Sequence, residues 1–366
     1  MTAETAVLTG VLRAGGARVS LAASNPLSTQ DDVAAALAAD GVEVHARAGV
    51  DRATYYEHIE RALAGGADLV IDDGGDLVST LHDRHPDLVK RVRGGCESTA
   101  TGVLRLRRMV AEGALVFPMV AANDTPVKRI VDNTRGTGQA VIDGVLRSAG
   151  ILLAGKTVVV AGFGACGSGV AESARGLGAL VVVTEVDPVR ALDARLRGFR
   201  VLPLAEAAPV GDVFITATGS SSVIGASHFE SMKDGAILAN AGHFDVEIDV
   251  RALAAMSVAV ETEVRPHADA YELADGRRLL LLAEGRVVNL VAAEGNPPEV
   301  MDVAFGIEAL VLSWLATGAA LTPGVHAVPG DLDAEAARLV LAATGTSIDT
   351  LTPGQLDYRD SWRLGS

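Results

Sequence analysis

"TVVVAGFGACGSG", residues 157–169, runs an apolar strand into Gly162, Gly164 and Gly167 and then into the helical "SGVAESARGLGA". The spacing is G-x-G-x-x-G. The first glycine permits a tight turn, the second lets the backbone approach a pyrophosphate, and the third lets the helix pack on the strand, with the helix N-terminus facing the anion. Glycine spacing alone is a weak signal, and a glycine-rich turn beside an exposed glutamate is the plain alternative. Here the next strand ends in Glu185, eighteen residues beyond Gly167, where a carboxylate accepts from an adenosine ribose and repels a 2′-phosphate. The expected cofactor is therefore NAD rather than NADP.

Outward from this unit, short β-rich runs alternate with helical patterns, as in parallel sheets built from βαβ units. Before it lie "RVSLAAS", "VEVHAR", "DLVIDDGG" and "ALVFPMVAAN"; with and after it come "ALVVVTEVD", "DVFITATG", "AILANAG" and "SVAVETEV". The expected fold is α/β, with two doubly wound Rossmann-like domains. Residues 132–156 read as a helix from Ala140 to Ala149 leading into a glycine break, a crossing between domains. "VAFGIEALVLSWLATG" reads as a long buried helix returning the chain to the first domain, and a short helix is expected around "PGQLDYRDSW".

The 366 residues suffice for two domains with their own cores, and 49% hydrophobic residues with 40 glycines fit a globular α/β protein. A formal charge of −15 without a basic cluster argues against nucleic acid as a partner. Cys96 and Cys166 show no metal-ligand spacing, so no metal is expected. No apolar stretch is long enough for a membrane span and no basic leader opens the chain, so a cytoplasmic protein is the expectation.

"NDTPVKRIVDN", residues 123–133, sets Lys128 and Asp132 four positions apart, in a chain with only three other lysines. On a helix the two share a face, and spacing alone fits a surface ion pair worth about 0.3–0.5 kcal/mol. A lysine in a dry pocket is the other possibility, since its pKa can be brought towards neutrality for base catalysis. Asp73 ends a predicted parallel strand, where ligands of open α/β sheets collect, although Asp beside Gly is more commonly a turn with a helix cap. His243 lies in a strand-end loop of the predicted cofactor sheet.

The stretches "ETAVL", "SNPLSTQDD", "IDDGGDL", "NDTPVKRIVDN", "GTGQAVIDG", "TEVDPVRAL", "FITATG", "GHFDVEID" and "AEGRVVNL", in this order from Thr2 to about Trp362, resemble the S-adenosyl-L-homocysteine hydrolase family. The resemblance implies a substrate domain (1–135, completed by 295–366) and an NAD-binding domain (136–294) joined by a hinge, in a homo-oligomer, tetramer or dimer. It implies a chemistry in which NAD oxidises the 3′-hydroxyl of an adenine nucleoside, the 5′ substituent is eliminated, water adds, and the stored hydride reduces the sugar. By the same resemblance Lys128, Asp132, Asp73 and His243 are catalytic, with Phe244 beside His243 as a gate. Thr2, Glu4, Gln30, Asn123, Ser98 and Asn296 fall at substrate-lining positions. Thr99, Thr101, Asn133, Thr218 and Asn289 fall at cofactor positions with Gly162, Gly164, Gly167 and Glu185.

Departures from the pattern fall on the substrate side. The family's histidine just ahead of Thr2 is not in this sequence, its second consecutive glutamate reads Ser98, and the histidine of its Gly-His-Pro reads Asn296. Ser98 removes a charge and about three heavy atoms, leaving room for an added sugar substituent. Without that histidine, elimination is expected to outlast hydration. The leading expectation is therefore a nucleoside dehydratase or lyase that stops at the alkene. An ordinary S-adenosylhomocysteine hydrolase lacking an N-terminal piece, and a silent NAD-binding regulator, stay open beside it.

Overall fold

The computed structural model describes residues 1–363; the last three residues of the predicted 295–366 segment lie outside the described residues. Two main sheets organise the chain. Four parallel strands run in the order Gly324–Ala327, Pro118–Ala121, Gly94–Glu97, Leu69–Asp72. The second sheet has eight strands, ordered Ser257–Arg265, Ala268–Leu273, Arg278–Leu282, Ile237–Asn240, Val213–Thr216, Thr157–Ala161, Leu180–Thr184, Arg200–Val201.

Both sheets are covered on two faces, which is why their strands read as apolar runs rather than alternations. Val158 and Val160 pack with Val170, Ala171 and Ala174 of the helix Ala165–Gly176, while Val159 between them packs with Phe214 on the other face. In the smaller sheet Val70 and Met119 join one core, and Cys96 and Val120 join the other. That second face is covered by the predicted long helix, Pro298–Ala316, through Val303, Ile307 and Val311.

Several expectations need correction. "RVSLAAS" and "VEVHAR" do form parallel strands, Ser20–Ala22 and Glu43–His45, but in a separate two-stranded sheet. "SVAVETEV" is an antiparallel edge strand of a hairpin, with most of its residues exposed, rather than a parallel one. Gly94–Glu97, a fully buried strand, went unpredicted because "GGCE" carries no β-branched residue. Its glycines are steric: a Cβ on Gly95 would lie 2.8 Å from the Met119 sulfur.

The crossing between the sheets is one long helical run. Pro126–Lys128 is α-helical, Arg129–Gly136 is π-helical, and Thr137–Ala149 is α-helical again, ended by Gly150 in the left-handed region at φ 60°. Thr125 caps its start, accepting from the Lys128 N–H at 3.2 Å. Among the described residues no helix is long and apolar enough to cross a membrane.

Candidate active site

The glycine-rich loop has the shape its spacing implied. Gly162 sits at φ +95°, and a Cβ there would come within 2.7 Å of the Ala217 carbonyl oxygen. A Cβ on Gly167 would collide with the Gly162 carbonyl, so the helix can start against the loop only without one. Gly164, as N-cap, offers no side chain, leaving the first helical N–H groups for an anion. Glu185 accepts from the N–H groups of Phe163 (2.7 Å), Val186 (2.7 Å) and Asp187 (3.0 Å). With about four acceptor positions on a carboxylate, one stays free for a ribose hydroxyl.

Across the loop, Thr218 donates through both its N–H and its hydroxyl to Glu247, at 2.9 and 2.7 Å, and the Gly219 N–H donates at 2.9 Å. Glu247 is buried and was not anticipated from sequence. Asn289 is buried, and among the described residues its side-chain oxygen has no partner. An orphaned amide oxygen is costly unless a donor arrives, and a nicotinamide carboxamide is such a donor. The groups present therefore fit NAD. Thr99 has less to offer: its hydroxyl donates to Glu97 at 2.8 Å and accepts the Gly102 N–H at 3.0 Å. Thr101 is half-buried in the helix that Thr99 caps.

Lys128 and Asp132 form no surface pair. Lys128 is 5% exposed and Asp132 7%, and the ammonium meets the carboxylate at 2.9 Å. The π-helical turn brings the next residue to the same ammonium, with Nζ donating to Asn133 Oδ1 at 3.4 Å. Asn133 in turn donates to Asn123 at 3.1 Å, and Asn296 donates to Asp132 at 2.9 Å. Burial alone would lower the Lys128 pKa, but the Asp132 carboxylate, with Glu308 and Asp73 beyond it, outweighs burial and raises it. The expectation of a lysine drawn towards neutrality is thus corrected for this state: Lys128 rests as an ammonium. Cys166, in the first turn of the helix Ala165–Gly176, lies in the field of both Asp132 and Lys128, and that helix meets the π-helical turn where Gly169 rests on the Thr134 carbonyl.

Asp73 is half-buried and accepts a hydrogen bond from the Ser98 hydroxyl. Around it lie three carboxyls the sequence did not place in the site. Asp72, buried, accepts from the Val78 N–H at 2.8 Å, and burial pushes its pKa up to about 7. Glu97 accepts from the N–H groups of Gly74 (3.0 Å) and Thr99 (2.8 Å), yet burial and its acidic neighbours push it up to about 9. Glu308, on the helix Pro298–Ala316, is 1% exposed, and burial pushes it up to about 8. One carboxylate is neutralised by Lys128; desolvation keeps protons on others. Glu308 did leave a signal, being the one ionisable residue within "VAFGIEALVLSWLATG".

His243 reaches across from the eight-stranded sheet: a Cβ on Gly74 would lie 2.8 Å from its Nε2. Its ring packs edge-on against Phe244, centroids 4.8 Å apart, and burial lowers its pKa, so it is neutral at pH 7. Thr2, Glu4 and Gln30 gather around Met1. Thr2 precedes the helix Ala3–Ala14 with its hydroxyl beside Thr5, and Gln30, exposed, donates its N–H to the Met1 carbonyl at 2.9 Å. Glu4 and Asp73 both act on the Met1 amino group, which ties this corner to the acidic cluster. Among the described residues no cluster suited to a metal ion occurs.

Comparison with known proteins places this geometry in a family. The S-adenosyl-L-homocysteine hydrolase model matches residues 1–87, and the model of that enzyme's NAD binding domain matches residues 133–295. Adenosylhomocysteinase of Aquifex aeolicus is 53% identical, covering 100% of this chain and 88% of its own length. That of Thermococcus kodakarensis is 52% identical, covering 99% and 86%. A Methanopyrus kandleri protein named S-inosyl-L-homocysteine hydrolase is 49% identical, covering 100% and 87%. The chain belongs to the S-adenosyl-L-homocysteine hydrolase family, an NAD-binding enzyme family.

Proposed function

We propose that this chain oxidises the 3′-type hydroxyl of an adenine nucleoside, eliminates the 5′-type substituent and then re-reduces the ketone with the stored hydride, ending at the alkene with net loss of water from a nucleoside whose sugar is altered. The catalytic core of this reading rests on the buried Lys128–Asp132 pair beside the glycine-rich loop. NAD bound along Gly162, Gly164, Gly167, Glu185 and Asn289 would supply a reversible hydride acceptor. Residues 1–135 with 295–366 would form the substrate domain, and 136–294 the cofactor domain. Sugar hydroxyls donating to Asp132 would weaken its hold on the Lys128 ammonium, freeing an amine to take the 3′-hydroxyl proton. His243, neutral, can accept a proton, and Asp73 can deliver one to the leaving group. The dehydratase endpoint is supported by the sugar side: Ser98 in place of a glutamate, and Asn296 donating to Asp132 where the family pattern has a histidine.

A second reading has the better support from the relatives, whose names are adenosylhomocysteinase and, in one case, S-inosyl-L-homocysteine hydrolase. It is ordinary hydrolysis of the S-nucleosyl-homocysteine thioether, and a neutral His243 suits it as a base for incoming water. Mass spectrometry of incubations with S-adenosylhomocysteine and with adenine nucleosides carrying a free 5′-type hydroxyl separates the two. An alkene product with water lost supports the dehydratase; efficient formation of adenosine and homocysteine overturns it in favour of the hydrolase.

A further inference from the structure

Asn240 is the last residue of the strand Ile237–Asn240, is fully buried, and has no part in the mechanism above. Its amide is fully engaged. The oxygen accepts the Gly242 N–H at 2.7 Å and the Thr216 hydroxyl at 3.1 Å. The nitrogen shares its two N–H groups among the carbonyls of Gly242 (3.2 Å), Phe244 (2.8 Å) and Gly285 (3.0 Å). Turning the amide over would set donor against donor and oxygen against oxygen, so these partners fix its orientation. The bonds to Gly242 and Phe244 bracket His243 on both sides.

The same amide reaches the neighbouring strand ends. Thr216 closes the strand that leads to Thr218, and Gly285 lies four residues before Asn289. From the other side stands Glu247, buried and accepting three hydrogen bonds from Thr218 and Gly219. A Cβ on Gly242 would collide with its carboxylate. The His243 segment is thus held between a buried amide and a buried carboxylate, both fastened to loops that carry candidate cofactor residues.

We propose that Asn240 is a positioning residue, which fixes the His243 segment so that the imidazole stands at Gly74, ready to take the C4′ proton. The inference rests on the oxidation–elimination reading. There, once the 3′-hydroxyl has become a ketone, the C4′–H bond breaks to a His243 nitrogen and its electron pair is drawn into that ketone. Asn240 touches none of these atoms and acts only through the segment it brackets. Proton transfer depends on the placement of the base, and a shift of about 1 Å costs on the order of 10²-fold.

Oxidation and C4′ proton transfer can be read separately on the NAD-loaded enzyme with adenosine in heavy water. Absorbance at 340 nm reports the first, and loss of the 4′ proton signal from the recovered nucleoside, by NMR, reports the second. Asn240→Ala should form NADH at close to the parent rate while deuterium uptake falls on the order of 10²-fold. His243→Ala should show the same split. Because Asn240 acts through His243, the double variant should exchange no more slowly than His243→Ala alone. Gly242→Ala, which pushes the segment off Glu247, should reproduce the selective loss, and it stands in for Asn240→Ala should that variant not fold. Without substrate, amide hydrogen exchange across residues 241–247 should quicken in Asn240→Ala, while the helix Ala165–Gly176 stays protected. Equal slowing of oxidation and exchange, additive losses in the double variant, or unchanged amide protection would overturn the positioning role. No NADH from the parent with adenosine, or full deuterium uptake in His243→Ala, would sink the functional reading and this role with it.

Discussion

Gly169 of the cofactor helix rests on the Thr134 carbonyl of the π-helical turn, so close that a Cβ on Gly169 would collide with it. One turn on, Gly138 meets the Gly169 backbone just as tightly. The segment bearing Lys128 and Asp132 is thereby docked, backbone to backbone, on the helix that begins at the glycine-rich loop. The Lys128–Asp132 segment and the glycine-rich loop are held in register by missing side chains.

Gly169→Ala must push the two helices apart, since the obstructing atoms are main chain. We expect a loss of about 1–3 kcal/mol in stability and slower NADH formation with substrate. Gly176→Ala, in the same helix with open space around its Cβ, should be neutral or slightly stabilising. Urea denaturation and stopped-flow absorbance would check the pair; equal effects of the two substitutions would refute the docking role.

Lys128→Met should abolish NADH formation while NAD still binds. It also leaves Asp132 buried beside only the Asn296 amide, a loss of about 3–5 kcal/mol where a charge is stranded. Lys128→Met with Asp132→Asn removes the stranded charge, so that double variant should regain stability and remain unable to reduce NAD. Undiminished NADH formation in either variant would mean that Lys128 only holds the fold.

Cofactor choice can be tested at Glu185. It accepts three backbone N–H groups, so Glu185→Gln keeps an acceptor oxygen while removing the charge that opposes a 2′-phosphate. The NAD preference over NADP should drop about tenfold, near 1.4 kcal/mol. Calorimetric titration with both dinucleotides measures it, and an unchanged ratio would take Glu185 out of cofactor selection.

These relationships were unequally legible in the sequence. The glycine spacing, Glu185 and the Lys128–Asp132 pair were legible because their geometry depends on local order along the chain. The burial of that pair could not, because it depends on the helix Pro298–Ala316 closing over the smaller sheet from about 170 residues away. Gly94–Glu97 escaped for a related reason: its residues are chosen for fit between Val70 and Met119, not for β-propensity. Likewise the π-helical turn, which brings both Asp132 and Asn133 to Lys128, has no pattern that apolar periodicity reveals.

Glu308 makes stability depend on pH in a direction opposite to that of paired carboxylates. Its folded pKa, about 8, stands above an unfolded value of 4.5, so between those values the native state holds a proton that the unfolded chain does not. Stability from this group is complete below pH 4.5, falls as pH rises, and is lost through pH 8, with a slope on the order of 1.4 kcal/mol per pH unit. Asp72 and Glu97, also raised, add slopes of the same sign. Glu308→Gln keeps the shape and removes the titration. The variant should therefore match the parent in urea denaturation near pH 5, show a shallower decline above it, and be the more stable protein at pH 9. Parallel pH–stability curves for the two would show that Glu308 is ionised in the folded state.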